Sequence, residues 1–208
     1  MATIKLILEA CVETLEDAIF AEENGANRIE LCSELDQDGL TPSRELTSQC
    51  VYYLSIPVMA MVRPRGGNFV YSEAEIKQME AEIEFFKQAG VAGVVFGLLT
   101  PEGKIDIDNT NRLAKLAFPL EVTFHKAIDY SNNIIQSFQE LNEIEGITRV
   151  LTSGGMDTAW NAREVLKQMQ RLPDRKIKII AAGKVLPENR TRIAEFTGII
   201  ELHGKRIV

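Results

Sequence analysis

Apolar positions along this chain alternate between two rhythms. Amphipathic stretches, with apolar residues recurring every three or four positions, give way after a glycine to a short apolar run. This happens at Ala21-Glu22-Glu23-Asn24-Gly25 before Arg28–Cys32, and at Phe86-Lys87-Gln88-Ala89-Gly90 before Val94–Gly97. It recurs at Asn142–Gly146 before Thr148–Leu151 and at Ala194–Gly198 before Ile199–His203. A helix, a glycine able to take positive φ, and a strand form the second half of a βαβ unit. Further apolar runs lie at Ile4–Glu9, Ile56–Arg63, Leu120–His125 and Lys176–Ala181.

The pattern therefore predicts eight strands, with starts roughly 25–30 residues apart as βα units require. Helices are expected over 14–24, 43–53, 73–89, 108–117, 132–143, 157–171 and 187–196. Ser72-Glu73-Ala74-Glu75 and Asp157 mark helix starts, and Pro187 suits a first turn. Strands alternating with helices imply a parallel sheet. Eight of them predict an α/β fold of the (β/α)8 TIM-barrel type, with a doubly wound open sheet as its competitor. No linker divides the chain, so one domain over residues 1–208 is expected. No eighth helix is expected within these residues, because Val208 follows the eighth strand closely. The apolar flank between the first and seventh helices is then expected to need cover, from another subunit or a repositioned helix.

Parity along each strand sorts the side chains. Arg28, Glu30 and Cys32 share one face, while Ile29 and Leu31 share the helix-facing one. Glu9, the set Met59, Met61, Arg63 and Arg65, the set Glu121, Thr123 and His125, and the pair Glu201 and His203 point inward on the same test. Polar groups gather toward the strand ends where barrel sites are built. Arg28, Glu30 and Glu201 also suit a paired interior network, since buried charges need partners.

Composition narrows the function classes. Of 208 residues 45% are apolar and 25% charged, a globular balance, and the net charge of −7 disfavours nucleic acid and anionic membrane as partners. No apolar run approaches the roughly 20 residues needed to span a bilayer, and the first residues do not read as a secretory signal. Three widely spaced cysteines, Cys11, Cys32 and Cys50, argue against a disulfide framework and for a reducing cytoplasm.

Candidate chemistry clusters at predicted strand ends. Arg63-Pro64-Arg65-Gly66-Gly67 places two guanidiniums beside exposed backbone N–H groups, which suits a carboxylate or phosphate. The competing reading has both arginines bridging Glu30 and Glu9. Ser153 and Gly154, after the sixth strand, and Gly183, after the seventh, lie near the usual barrel phosphate position. His125 and His203 are candidates for acid–base chemistry or metal ligation. Cys32 is a candidate soft ligand able to meet His203 and Glu9, and a thiolate–imidazole pair prefers Cu(I) or zinc. Cys11 and Cys50 read as structural or loop residues. Nucleophile elbows, P-loops and dinucleotide fingerprints are absent, so no nucleotide cofactor is expected.

Several of these segments together resemble the CutC family, known as copper homeostasis proteins. They are Glu9-Ala10-Cys11-Val12, Gly25–Cys32, Gly39-Leu40-Thr41-Pro42-Ser43, Met61–Gly67, Phe69-Val70-Tyr71, Val95-Phe96-Gly97, Thr123–Asp129 and Leu151–Gly155. The resemblance implies a (β/α)8 barrel, a cytosolic location and Cu(I) binding by cysteine. It makes Cys32 the first copper candidate and puts Glu9, Glu30, Arg63, Arg65, His125 and Asp129 on the family's polar motif positions. The chain departs from the family at Lys126, Ile128, Glu45 and Ala182-Gly183-Lys184. Two functions stay open. One is a copper homeostasis protein with Cys32 and His203 holding Cu(I). The other is a barrel enzyme on a small anionic or phosphorylated metabolite, with Arg63 and Arg65 binding the anion and His125, Glu30 or Asp129 moving protons. A homodimer or higher homo-oligomer is expected in either case. An interaction scaffold is a weaker third reading.

Overall fold

The computed structural model describes residues 5–208. Eight parallel strands follow one another around a closed barrel in chain order. They are β1 Ile7–Val12, β2 Arg28–Leu31, β3 Val58–Met61, β4 Gly93–Phe96, β5 Glu121–Phe124, β6 Ile147–Thr152, β7 Lys178–Ala181 and β8 Glu201–Gly204. Closure, with β1 pairing β8 from Ile7↔Glu201 to Ala10↔Gly204, rules out the open-sheet competitor. Seven helices cover the outside among the described residues: α1 Leu15–Glu23, α2 Arg44–Tyr53, α3 Glu73–Ala89, α4 Ile107–Ala117, α5 Ile134–Asn142, α6 Arg163–Gln170 and α7 Arg190–Thr197.

Local chemistry accounts for most helix ends. Thr14, Ser43, Asp106 and Asn133 each accept an N–H of the first turn, and Ser72 forms a reciprocal capping box with Glu75. Gly90 and Gly198 take positive φ at the ends of α3 and α7, as the helix–glycine–strand pattern requires. Several boundaries differ from expectation; α7 starts at Arg190, so Pro187 stands in the turn before it and not in its first turn. The helix expected from Asp157 starts only at Arg163, because residues 156–162 form turns in which Asn161 bonds the Asp157 side chain. The first strand runs on to Val12, because its ladder with β2 continues through Cys11↔Glu30 and Val12↔Leu31. Ile4, assigned to that strand from the sequence, lies outside the described residues.

Outward strand residues such as Ile29, Leu31, Phe96, Phe124 and Val150 pack beneath the helices as the main core. The flank left without an eighth helix is largely sealed by the chain itself. Leu202 on β8 and Ile207 beyond it are both fully buried, and Arg190 Nη1 donates to the Ile207 carbonyl at 2.5 Å. Phe20 and Ile200 nevertheless remain 61% and 46% exposed.

Inside the barrel, charge replaces part of the usual aliphatic filling. Glu201 Oε2 accepts from Arg28 Nη2 at 2.8 Å and from Arg149 Nε at 2.9 Å. Arg28 Nε pairs with Glu9, and Arg149 Nη1 reaches Glu121 at 2.5 Å. Glu201 is held below the ordinary carboxylate range; burial opposes this, but the two guanidiniums outweigh it. Replacing Glu201 with alanine takes their shared partner from two buried guanidiniums, leaving each with one carboxylate, and should cost about 3 kcal/mol. Lys178→Ala, which removes a mostly exposed partner 3.6 Å from Glu201, should stay within about 0.5 kcal/mol. Urea denaturation of both variants decides this. Equal losses would mean the interior network adds nothing.

Candidate functional site

The C-terminal ends of the strands surround a cavity of about 610 Å³. Its floor carries Cys11, Glu30, His203, Met61, Arg63 and His125; Lys126, Lys184, Lys205 and Arg206 stand around it with Asp38 and Asp157. A second lobe of about 580 Å³ shares Asp38, Arg63, Phe69 and Tyr130 with it. The wall is thus more basic than the net charge of −7 suggests.

One side of the floor joins two thiols to the interior charge network. Cys11 Sγ lies 3.4 Å and Cys32 Sγ 3.6 Å from the same oxygen of Glu30. His203 Nδ1 lies 2.9 Å from Glu9 and its Nε2 is 3.8 Å from Glu30. Two sets of donors, Cys11–Glu30–Cys32 and Glu9–Glu30–His203, each have ligand atoms within 4.8 Å, and Glu30 belongs to both. The other Glu30 oxygen is buried without a hydrogen-bond partner. Gly39 crosses over Cys32 so closely that an added Cβ would sit 3.0 Å from the sulfur, so Cys11 is the thiol that meets the cavity.

Burial and charge set these groups apart. Burial would raise Glu9, yet Arg28 and then His203 bring it down to about 2. Burial pushes Glu30 well up, against the pull of His203. Burial opposes a charged His203, but Glu30 and the contacts to Cys11 and Glu9 hold its pKa well above the ordinary value. A hydrogen bond from Cys32 draws Cys11 down, helped by His203, while the same bond and burial push Cys32 up. Cys50 has only burial acting on it and rises to about 11. It lies on α2, buried in the main core away from the cavity, as an inert thiol.

The opposite side of the floor is built by Arg63 and His125. Arg63 is buried, and its guanidinium donates to three backbone carbonyls: Gln37 at 2.9 Å, Gly39 at 3.1 Å and Gly67 at 3.3 Å. It makes no ion pair, so neither arginine bridges Glu30 or Glu9. Arg65 instead pairs with Glu75 at 2.5 Å and donates to the Gly66, Asn68 and Val70 carbonyls, fixing the loop that carries Phe69. The His125 ring fits only because residue 97 is glycine, where a Cβ would lie 2.3 Å from Nδ1. Burial and then the Arg63 charge lower His125 to about 3.

The loop after β6 uses its donors within the chain. Asp129 accepts from Ser153 N–H and Oγ at 2.9 Å each, from Gly155 N–H at 2.9 Å and from the Thr152 hydroxyl. Gly154 N–H bonds Thr152 Oγ1 at 2.9 Å. The expected anion cradle at Ser153 and Gly154 therefore already holds a carboxylate, and Asp129 has no lone pair directed at the cavity to act as a base. Gly183 does line the cavity, packed so tightly that a Cβ would meet Ser153 at 2.9 Å. Sequence reasoning read Cys11 as structural, although its parity with Glu9 was an available signal; it quoted Phe69 only within a family segment, without a site role, and missed the basic rim for want of any motif.

The chain has the following likenesses to known proteins. The family model for the CutC family matches residues 6–208. A human copper homeostasis protein cutC homolog is 39% identical over 197 residues, 95% of this chain and 72% of that protein. The family protein CutC of Aliivibrio fischeri (strain MJ11) is 41% identical over 198 residues, 94% of this chain and 80% of its own. The crystal structure of the CutC protein from Streptococcus agalactiae superposes with a TM-score of 0.92 at 31% identity, covering 98% of this chain and all of that one. An aldolase, QR15, with TM-score 0.72 and 12% identity, shares the fold.

His125 generates a pH signature. Its pKa of about 3 lies below the ordinary value near 6.5, so the unfolded chain binds the extra proton between those pH values. Its contribution to stability is complete above pH 6.5 and is lost as pH falls toward 3, at up to about 1.4 kcal/mol per pH unit. His125→Gln should show a shallower decline than the parent in urea midpoints between pH 6.5 and 4. Parallel declines would contradict a ring buried in its neutral form.

Proposed function

Because this chain belongs to the CutC copper homeostasis family, we propose that it binds Cu(I) at the thiol pair Cys11 and Cys32, with Glu30 and His203 beside it. One observation carries this reading: both sulfurs converge on the same buried carboxylate, within reach of an imidazole. Two polarisable thiols suit Cu(I) far better than magnesium or calcium. The partnerless oxygen of Glu30 beside them fits an electron-pair donor waiting for a cation. Cys32 and His203 are retained from the sequence reading, and Cys11 is added. Thiols kept reduced belong in the cytoplasm, the location we assign. No helix among the described residues is long and apolar enough to cross a membrane.

A second reading has its own observation. Arg63 is a buried cation in the floor of a basic cavity with no carboxylate against it, which favours a small anionic or phosphorylated metabolite as substrate. In that case His125 or Glu30, and not the fully bonded Asp129, handles protons.

We also propose self-association across the flank that lacks a helix. Glu22 turns one side of α1 toward the α2–β3 connection, accepting from Ser55 and Ile56 N–H at 2.8 and 3.1 Å. Phe20, about 200° round the helix from Glu22, lies on the other side of α1 and is exposed. Ile200, just before β8, is a second exposed apolar residue, and we assign both to the interface.

Anaerobic titration against a chromogenic Cu(I) chelator should give about one tightly held equivalent, lost in Cys11→Ala and Cys32→Ala and kept in Cys50→Ala. His203→Ala should weaken it roughly 10–100-fold. Retention of full affinity in Cys11→Ala would remove the proposed pair. Light scattering should give a multiple of the chain mass for the parent protein and a smaller particle for the double variant Phe20→Ser, Ile200→Ser. An unchanged mass would place the interface elsewhere.

A further inference from the structure

Besides the hydroxyls of Tyr71, which adjoins Arg63, and of Thr123 on β5, two polar atoms on the Arg63 side of the floor have no hydrogen-bond partner in the fold. They are Arg63 Nε and His125 Nε2, both fully enclosed although the residues that carry them line the cavity. Both residues are only 4% exposed, so leaving such donors unpaired costs about 1–3 kcal/mol each unless a ligand uses them. The tautomer of the ring follows from its other nitrogen. His125 Nδ1 accepts the Ala127 N–H at 3.2 Å, so in the neutral ring the proton sits on Nε2. The site therefore offers two N–H donors and one positive charge.

The same aromatic ring covers both. Phe69 stands edge-on to His125 with ring centroids 5.0 Å apart, and the Arg63 guanidinium carbon lies 4.9 Å from its centre. Its backbone is held, with Phe69 O accepting Leu99 N–H at 2.9 Å and Arg65 gripping the carbonyls on either side. The loop backbone is thus fixed, so a ligand reaching the two donors has to displace the Phe69 ring and not the loop.

We propose that Phe69 closes a carboxylate-binding subsite in which Arg63 Nε–H and His125 Nε2–H take the ligand's oxygens. This rests on the second reading above, that the mouth receives a small anion, and names its chemical class. A carboxylate matches one fixed positive charge and a neutral donor. A phosphate dianion prefers a nest of backbone N–H groups, and the loop positioned to supply one is already filled by Asp129. A neutral imidazole donor beside a guanidinium also suits an oxygen that gains negative charge during a reaction, such as the carbonyl oxygen of a 2-oxo acid.

The chain has only two histidines, so the ¹⁵N spectrum of labelled imidazoles contains two rings, assigned with His125→Gln. Acetate and pyruvate, added at constant ionic strength, should shift the His125 Nε2 resonance saturably, with inorganic phosphate weaker. Arg63→Gln should weaken the effect about tenfold or more. Should that variant fail to fold, Phe69→Ala carries the test, since it leaves both donors intact and should tighten binding by removing the cover. Saturable thermal stabilisation by acetate or pyruvate with the His125 signal unmoved would sink the subsite and leave the anion reading standing. Tighter binding of phosphate at His125 would overturn the carboxylate class. No stabilisation by any of the three, in parent or Phe69→Ala protein, would overturn both.

Discussion

Charge buried inside a parallel barrel must be balanced within the barrel, and this constraint organises the rest of the molecule. Glu201 sits between two guanidiniums, Arg28 ties it to Glu9, and Glu9 fixes His203. The chain of alternating charge thus climbs from strand starts to the mouth. Its last members, His203 and Glu30, are where the pairing ceases to be complete. The thiols of Cys11 and Cys32 meet it at that point, so the electrostatics of the soft donor set are inherited from pairs deeper in the barrel.

The mouth divides into two chemically unlike halves. On one side, sulfur, carboxylate and a positively polarised imidazole lie together at the ends of β1, β2 and β8. On the other, a guanidinium and a neutral imidazole stand under an aromatic ring at the ends of β3 and β5. Both histidines stand at strand ends with little exposure, yet their surroundings move them in opposite directions. His203 faces carboxylates and is driven up; His125 faces Arg63 and is driven down. Residue type alone says nothing of this, because the sign belongs to the neighbours.

The glycine-terminated helices and eight apolar runs were legible because burying a helix stripe and a strand face leaves a period in the sequence. Parity likewise placed Glu9, Arg28, Glu30, Glu201 and His203 inside. It was not carried on to Cys11, because the strand was expected to end at Glu9, whereas the end of β1 is set by its ladder with β2. Ser153 and Gly154 read as an anion cradle, and the loop is one, but Asp129 occupies it from 24 and 26 residues away. Arg63 and Arg65 looked equivalent in sequence. Alternate positions at a strand end diverge once the chain turns, and one entered the cavity while the other tied down a loop.

By itself the sequence determined the parallel βα architecture, the inward placement of its charged strand residues and the family. Those properties depend on local period and composition, which a linear chain carries. Only the tertiary structure decided which carboxylate each arginine answers, which cysteine faces the cavity and which donors are left without partners. Each of these depends on distances between strands far apart in the chain, and those distances exist only once the barrel has closed.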